Sequence, residues 1–348
     1  MEYRKLGRTD ISVSALCLGT MTWGEQNTQA EAFEQMNYSL EQGINFFDTA
    51  ELYSAPPRSG TYGATEEIIG NWFRETGNRD KVVLASKVTG PSEHMTYMRE
   101  DGSAPRLDRR NIREAIEGSL RRLQTDYIDL YQLHWPDRNV NKFGTLNFRH
   151  DPQENMVHPE ETLSALNELV QEGKVRHVGV SNETPWGVMT YTKLAEQGKG
   201  PRMVSIQNPY SLLNRSFEVG LAEVAVRENV GLLAYAPLAA GTLTGKYLNG
   251  ARPVGARMTL FPEQTRYMKQ SGQDAVADYL ELAEKRGIDP VHMALAFVTS
   301  RPFLTSNIFG ARTMDQLRHV IKSAELSLSE ELLSDLEELG HRHTFPCP

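Results

Sequence analysis

Three short apolar runs in the sequence each end in a side chain that can carry charge or exchange a proton. The runs end in Asp48, Lys87 and His134, and Tyr53 follows Asp48 after one short loop. A neighbouring ammonium favours the phenolate, which lowers a phenol pKa of roughly 10 toward the working range of a general acid. We expect Asp48 to keep Lys87 charged and oriented, and His134 to hydrogen-bond an oxygen on which negative charge develops. These residue types together suit proton transfer to a substrate oxygen.

The same apolar runs belong to a regular alternation of strands and helices. Short stretches rich in Val, Ile, Leu and Phe alternate with stretches of helical periodicity, which is the pattern of a parallel sheet. The predicted strands are Ala15–Gly19, Asn45–Phe47, Val82–Ser86, Ile128–Leu133, Arg176–Val180, Met203–Ile206, Gly231–Ala234 and Thr305–Phe309. Eight such strands fit a closed α/β barrel.

Helices are predicted between these strands from capping residues and apolar periodicity. They include Thr65–Arg74, Arg109–Leu123, Pro159–Glu172, Phe217–Glu228, Asp274–Arg286 and Thr313–Ser323. Residues 3–10 indicate a hairpin that caps one end of the barrel, and Ser329–Leu339 indicates an extra C-terminal helix. The fold prediction is therefore α/β: a single (β/α)8 TIM barrel, with residues 1–348 forming one domain.

Polar residues also follow the later strands, at Ser181, Asn182, Gln207 and Tyr235. The active site of such a barrel lies at the C-terminal ends of its strands. Any one of these residues alone is more simply an ordinary polar strand end, and an aspartate–lysine pair alone is weak evidence of anything but structure. Six strand ends in register favour a functional site.

Three long irregular stretches would emerge at the same face, namely Ser54–Gly63, Gly90–Leu107 and Asp137–Val157. Loops of this length are usually functional or disordered. We interpret them as walls of a substrate cleft, with solvated insertions as the alternative. Trp23 and Trp135 follow strands at this rim, so we expect them to stack on substrate, with core packing as an equally weighted alternative.

Composition and charge exclude several classes of protein. The formal net charge of -8 and the absence of a basic surface argue against a nucleic-acid partner. Two widely separated cysteines, Cys17 and Cys347, suggest neither a disulfide framework nor a thiolate metal site. No apolar run is long enough to span a membrane, so we expect a cytoplasmic protein that binds small molecules. The sequence does not indicate an oligomeric state.

Other chemistries find little support. His341, His343 and Cys347 are close enough in sequence to bind a metal, but we interpret them as a flexible tail, and the remaining histidines as scattered, so no metal is predicted. No serine-hydrolase elbow occurs. Residues 241–247 superficially suggest a phosphate-binding P-loop, but the motif is one residue too short and has Tyr247 after the lysine instead of Ser or Thr.

The catalytic segments of the aldo-keto reductase family are similar to residues 48–53, 86–87 and 133–136 of this chain. The resemblance extends over nearly the whole sequence, through residues 178–182, 206–210, 243–247 and 310–313. Residues 208–215 most resemble the bacterial Tas-type branch. The order and spacing of the motifs, more than any one of them, make the resemblance specific.

The resemblance implies a catalytic tetrad of Tyr53 as general acid/base with Asp48, Lys87 and His134, in NADPH-dependent carbonyl reduction. It also implies a cofactor, NADP(H), bound across the barrel mouth, and no Gly-x-Gly-x-x-Gly motif of the alternative nucleotide-binding fold occurs. The implied cofactor residues are Thr20, Met21, Asp48, Ser181, Asn182, Gln207, Tyr235, Pro237, Leu238, Gly241, Leu243, Lys246, Arg257, Gly310, Arg312 and Gln316. Substrate would contact Trp23, Tyr53, His134 and Trp135.

The sequence departs from the family where residues 319–320 are His-Val in place of the usual Glu-Asn. This leaves the adenine contacts and the preference for NADPH over NADH open. A second function remains as an alternative, because the same barrel can serve as an NADP-binding regulatory subunit with low turnover.

Overall fold

Parallel pairing of eight strands closes the chain into a barrel in the computed structural model, which describes residues 1–348. The strands are β1 (Tyr3–Lys5), β2 (Ser12–Ser14), β3 (Leu16–Gly19), β4 (Phe46–Asp48), β5 (Val83–Val88), β6 (Ile128–Leu133), β7 (Val175–Ser181), β8 (Met203–Pro209), β9 (Gly231–Tyr235) and β10 (Leu304–Phe309). Strands β3 to β10 form the barrel in sequence order, and β10 closes it against β3, with Asn307 opposite Leu16.

Helices on the outside connect successive strands. They are α1 (Gln29–Glu41), α2 (Ala64–Thr76), α3 (Arg109–Leu123), α4 (Pro159–Gln171), α5 (Pro185–Glu196), α6 (Leu221–Glu228), α7 (Arg257–Leu260), α8 (Gln270–Arg286), α9 (Pro290–Thr299), α10 (Met314–Ile321) and α11 (Glu330–Arg342). Side-chain caps define several helix starts: Thr28 forms a capping box with Glu31, and Asp108 and Thr313 accept backbone N–H groups three residues later.

The inside of the barrel has an apolar layer at one end. Phe46, Ala85 and Leu130 project into this layer from β4, β5 and β6, and Leu6 and Val13 of the N-terminal hairpin pack beneath it. Side chains two residues apart lie on the same face of a strand. The residues two positions further along β4, β5 and β6 therefore also face inward, and they are polar.

The strand and fold predictions are confirmed: the limits of β6 match the prediction, and those of the other strands shift by at most three residues. The helix predicted over Phe217–Glu228 is wrong as one element, because Gly220 separates a 3-10 turn over Ser216–Val219 from α6. The interpretation of the C-terminus as a flexible tail is also wrong: Cys347 is buried, and its N–H donates to the carbonyl of Leu213. No helix has both the length and the apolar composition to cross a bilayer.

Helix α2 contacts α3 at a position where only a glycine fits. A Cβ on Gly70 would lie 2.1 Å from the carbonyl oxygen of Arg122 and 2.8 Å from the carbonyl carbon of Leu123. Both obstacles are backbone atoms, so relief requires the two helices to separate.

We predict that Gly70→Ala lowers the free energy of unfolding by about 1–3 kcal/mol, the cost typical of overpacking, although alanine is the better helix former. The measurement is urea denaturation followed by circular dichroism. Gly60→Ala is the matched control, because no atom lies within 4 Å of a Cβ at that position. Equal stability of the two variants would contradict the close approach of α2 and α3.

Candidate active site

The polar layer at the C-terminal end of the barrel is built around a buried ion pair. Lys87 on β5 donates from Nζ to Oδ2 of Asp48 on β4 at 2.7 Å, and neither side chain is more than 4 % exposed. Nζ also donates to the carbonyl oxygen of Thr49 at 2.7 Å. Because burying charges is costly, the lysine and the aspartate each depend on the other and on these hydrogen bonds.

The third contact of Lys87 is Tyr53, whose hydroxyl oxygen lies 3.4 Å from Nζ. Lys87 acts to lower the pKa of this phenol, as expected, but the expected net shift toward neutral pH is wrong. Burial outweighs the attraction of Lys87, with a smaller contribution from Asp48, and raises the pKa of Tyr53. The phenol therefore keeps its proton at neutral pH, which is the form that a proton donor requires.

His134 stands at the end of β6 with its ring edge-on to Tyr53, the two centroids 5.7 Å apart. Burial, together with the charge of Lys87, holds the pKa of the imidazole well below its usual range. Its Nδ1 atom is buried without a hydrogen-bond partner. The neutral ring can therefore contribute a hydrogen bond to a substrate oxygen, but it carries no positive charge at neutral pH.

Two glutamines donate further hydrogen bonds to the carboxylate of Asp48. Gln207 on β8 donates to Oδ1 of Asp48 at 2.8 Å, and Gln132 on β6 donates to the same oxygen at 3.3 Å. Gln132 was not among the site residues expected from sequence, although its position two residues after Leu130 on the inward face was a usable signal. These amides fix the carboxylate in place across the barrel.

The strand-end residues after β7 and β9 form a connected group at the same rim. Tyr235 donates its hydroxyl to Oδ1 of Asn182 at 2.7 Å, and Asn182 in turn donates to the carbonyl of His134 at 2.9 Å. Ser181 donates to the carbonyl of Gln207 at 2.7 Å. Thr20, after β3, donates to the carbonyl of Asp48 at 2.8 Å. The structure thus brings the predicted strand ends together.

The loop after β9 holds a lysine without an anionic partner. It runs through Pro237 and Leu238 into backbone of left-handed conformation at residues 239–241, with buried Leu243 beneath it. The ammonium of Lys246 makes no hydrogen bond, and burial lowers its pKa. A Cβ on Gly241 would lie 2.8 Å from Nζ, so the glycine leaves room beside the charge.

Arg257 is a second cation without a carboxylate. Its Nε donates to Oε1 of Gln264 at 2.9 Å, and burial lowers its pKa although the hydroxyls of Tyr267 and Tyr53 partly offset that effect. An arginine that is desolvated without an acidic partner is unusual. Arg257 therefore marks a place suited to an anionic ligand.

The start of α10 lies on the same side of the barrel. Gly310 follows β10, and the backbone N–H of Arg312 donates to Oε1 of Gln316 at 2.9 Å. The carbonyl of Arg312 is held by Asn27 at 2.7 Å, in the loop that also contains Met21. The arrangement presents a guanidinium beside a helix N-terminus, a combination that favours phosphate.

The two tryptophans expected to contact substrate differ in position. Trp23 is fully buried in the main hydrophobic cluster, and its indole N–H faces Oε1 of Gln35 at 3.2 Å, so the structure places it in packing and not on the rim. Trp135 lies against His134, with ring centroids 5.0 Å apart, and meets Phe143 of the following loop edge-on. Of the two, only Trp135 contacts a residue of the polar layer.

Two further buried ion pairs, not identified from sequence, support the polar layer from outside. Glu51 pairs with Arg99 and accepts the backbone N–H of Thr89 at 2.7 Å. Glu66 of α2 pairs with Arg122 of α3 and accepts the hydroxyl of Ser86, the residue before Lys87. Arg99 lies within Gly90–Leu107, so part of that predicted cleft wall is a packed structural segment.

The interpretation of the remaining histidines as scattered is wrong for one pair. His292 and His319 lie against each other, with ring centroids 4.5 Å apart, and Asp289 completes a group of three possible metal ligands. His341 and His343 do not join it, since His343 instead contacts Asp278 at 2.7 Å.

We predict that His134 makes stability fall as the solution becomes acidic. The unfolded histidine takes up a proton below about pH 6.5, whereas the folded ring, with its lowered pKa, does not, so protons favour the unfolded state. Unfolding free energies measured in urea at pH 7.5, 6.5 and 5.5 should decline less steeply in His134→Gln, by up to about 1.4 kcal/mol per pH unit. Parallel profiles for the variant and the wild type would contradict the lowered pKa.

Comparison with known proteins finds similarity along the whole chain. The sequence model of the Aldo/keto reductase family matches residues 15–341. Protein tas of Escherichia coli K12 is 52% identical over 350 residues, covering 100% of both chains. An uncharacterized oxidoreductase of Bacillus subtilis, YrpG, is 36% identical over 100% of this chain and 97% of its own, and the L-glyceraldehyde 3-phosphate reductase of Escherichia coli O157:H7 is 29% identical over 97% and 92%. The chain belongs to the aldo/keto reductase family.

Proposed function

We propose that this protein reduces an aldehyde or ketone to an alcohol with NADPH as the hydride donor. The observation that supports the reaction most directly is the position of Lys87, whose ammonium contacts both the Asp48 carboxylate and the Tyr53 hydroxyl inside the barrel mouth. This contact links one proton donor to a fixed positive charge. Family membership supports the same class of reaction.

The residues of the cleft fit the proposed cofactor. Lys246 and Arg257 are desolvated cations with no carboxylate partner, and pyrophosphate and 2′-phosphate groups supply the missing negative charge. Arg312, Gln316 and the start of α10 would hold the adenosine phosphate end. The nicotinamide end would meet Ser181, Asn182, Gln207 and Tyr235.

When bound, the reduced cofactor supplies a hydride to the carbonyl carbon. The remaining events concern residues of this chain. Tyr53 transfers its hydroxyl proton to the carbonyl oxygen, and Lys87 stabilises the phenolate that remains. His134 orients the same oxygen through a hydrogen bond. Asp48, held by Lys87 and two glutamines, keeps the ammonium in place throughout.

The substrate pocket would be bounded by Trp135 and the loop over residues 137–157. Phe143 extends the aromatic wall, and its edge faces the Trp135 ring at 5.9 Å between centroids. An apolar wall opposite a tyrosine and a neutral histidine suits a carbonyl compound whose group next to the carbonyl carbon is apolar.

We propose that all 348 residues act as one domain, and that the protein works in the cytoplasm, where its two free cysteines stay reduced.

We predict that Tyr53→Phe lowers kcat by at least 100-fold, because a positioned general acid typically contributes 10²–10⁴. The measurement is NADPH oxidation with a panel of aldehydes, together with the dissociation constant for NADPH, which should change little. Tyr97→Phe is the matched control, since Tyr97 packs against the same small hydrophobic cluster around Trp135 as Tyr53 does and makes no side-chain hydrogen bond. Activity of Tyr53→Phe within about tenfold of the wild type would exclude Tyr53 as proton donor.

The same assay separates the enzyme from the regulatory alternative. Slow turnover by the wild-type protein itself, with NADPH tightly bound, would favour an NADP-binding regulatory subunit.

We predict that Lys246→Met raises the dissociation constant for NADPH about tenfold or more, which corresponds to about 1.4 kcal/mol for one charge-assisted contact. Quenching of protein fluorescence on titration with NADPH measures it. The control is Lys174→Met, because the ammonium of Lys174 is already paired with Glu117 and Glu172 on the outside of the barrel. An unchanged constant in Lys246→Met would show that the cofactor phosphates lie elsewhere.

A further inference from the structure

Two helices on the outside of the barrel bring three possible metal ligands together, away from Tyr53 and its partners. Asp289 is the N-cap of α9, His292 lies in the first turn of that helix, and His319 lies near the end of α10. One ligand atom of each residue lies within 4.8 Å of the other two. The residues are separated by up to 30 positions in sequence, so the fold creates the group.

The hydrogen bond of His292 fixes its tautomer. Its Nε2 lies 2.8 Å from the backbone carbonyl oxygen of His319. A carbonyl oxygen only accepts, so Nε2 carries the hydrogen, and Nδ1 retains a free lone pair. Histidines that bind metals commonly donate their other ring N–H to a backbone carbonyl in this way, which orients the ring before the metal arrives.

The contact between His319 and Asp289 differs from an ordinary histidine–aspartate hydrogen bond. Nε2 of His319 lies 3.3 Å from Oδ1 of Asp289 without hydrogen-bond geometry, whereas His343 and Asp278 form a hydrogen bond at 2.7 Å. Two ligands of a tetrahedral zinc ion, each bound at about 2.1 Å, lie about 3.4 Å apart. The imidazole and the carboxylate therefore already lie about as far apart as two ligands of one ion.

The aspartate is also held in position. Its Oδ1 accepts the backbone N–H groups of Val291 and His292 at 2.9 and 3.0 Å, as the cap of α9, and Oδ2 of the same carboxylate makes no hydrogen bond and is free to bind an ion. The side chains of Asp289 and His319 are 37% and 44% exposed, so an ion can enter from solvent. Pre-oriented ligands with an open approach are what a binding site requires.

We propose that Asp289, His292 and His319 form a site for a divalent transition metal, with Zn²⁺ as its reference ion. Two imidazoles select zinc, copper or nickel over magnesium and calcium, which prefer oxygen ligands. Three protein ligands leave a fourth position for water. The bound ion joins the start of α9 to the end of α10, the helix whose opposite end carries Gln316. This site does not depend on the reaction proposed above.

The test is a calorimetric titration of the metal-stripped, untagged 348-residue protein with Zn²⁺, which gives the stoichiometry and the dissociation constant. The wild type should bind one equivalent, and His292→Ala and His319→Ala should each weaken binding at least tenfold. His343→Ala is the matched control, because it removes a histidine that also contacts an aspartate, and its affinity should equal that of the wild type. Circular dichroism in metal-free buffer establishes that each variant is folded.

A second measurement reports the coordination itself. Co²⁺ bound at low coordination number by imidazole and carboxylate gives visible absorption bands, which should be present in the wild type and in His343→Ala and absent in His319→Ala. Zn²⁺ should also raise the Tm of the wild type but not of His319→Ala, because binding to the folded state alone stabilises it. A wild-type protein that takes up no equivalent, or a His292→Ala/His319→Ala protein that binds with wild-type affinity, would overturn the proposal.

Discussion

The ion pair between Lys87 and Asp48 is the interaction on which the polar half of this barrel depends. Both side chains lie inside the barrel, where burying a charge without a partner would cost several kcal/mol. The pair persists because each remaining polar atom also has a partner: a backbone carbonyl and the Tyr53 hydroxyl for the ammonium, and two glutamine amides for the carboxylate. The same bonds that make burial tolerable hold Tyr53 beside a positive charge.

The position of this pair follows from the geometry of a strand. Phe46 and Asp48 lie two residues apart on β4, as do Ala85 and Lys87 on β5, and so each strand contributes one apolar and one polar side chain to the interior. The apolar layer, with the hairpin beneath it, excludes water from one end. The polar layer is thereby confined to the end where the loops open. The inward-facing positions of each strand therefore supply both the apolar layer and the polar layer.

Sequence alone was sufficient for the barrel, because β6 and α3 are bounded by clear apolar periodicity and caps and appear with their predicted limits. It was also sufficient to place Asp48, Lys87, Tyr53 and His134 on one face. It could not give the balance between burial and charge that raises the pKa of Tyr53, since that depends on how many groups surround the phenol. Nor could it show that Trp23 packs inward, because the direction of a side chain in a loop has no periodicity. The contact between His292 and His319 depends on how α9 packs against α10, and no local sequence pattern predicts that packing.

Several cations withdrawn from solvent differ in whether a carboxylate partner lies beside them. Arg79, Arg99 and Arg122 are withdrawn from solvent, and each meets a buried carboxylate, which makes them parts of the scaffold. Lys246 and Arg257 are also desolvated, yet they meet none. Burial without a carboxylate partner carries an electrostatic penalty for both cations, and a bound anion would relieve it. Both residues follow β9 in the chain, at the same end of the barrel as Tyr53, so the unpaired positive charges lie at the same barrel mouth as the contact between Lys87 and Tyr53.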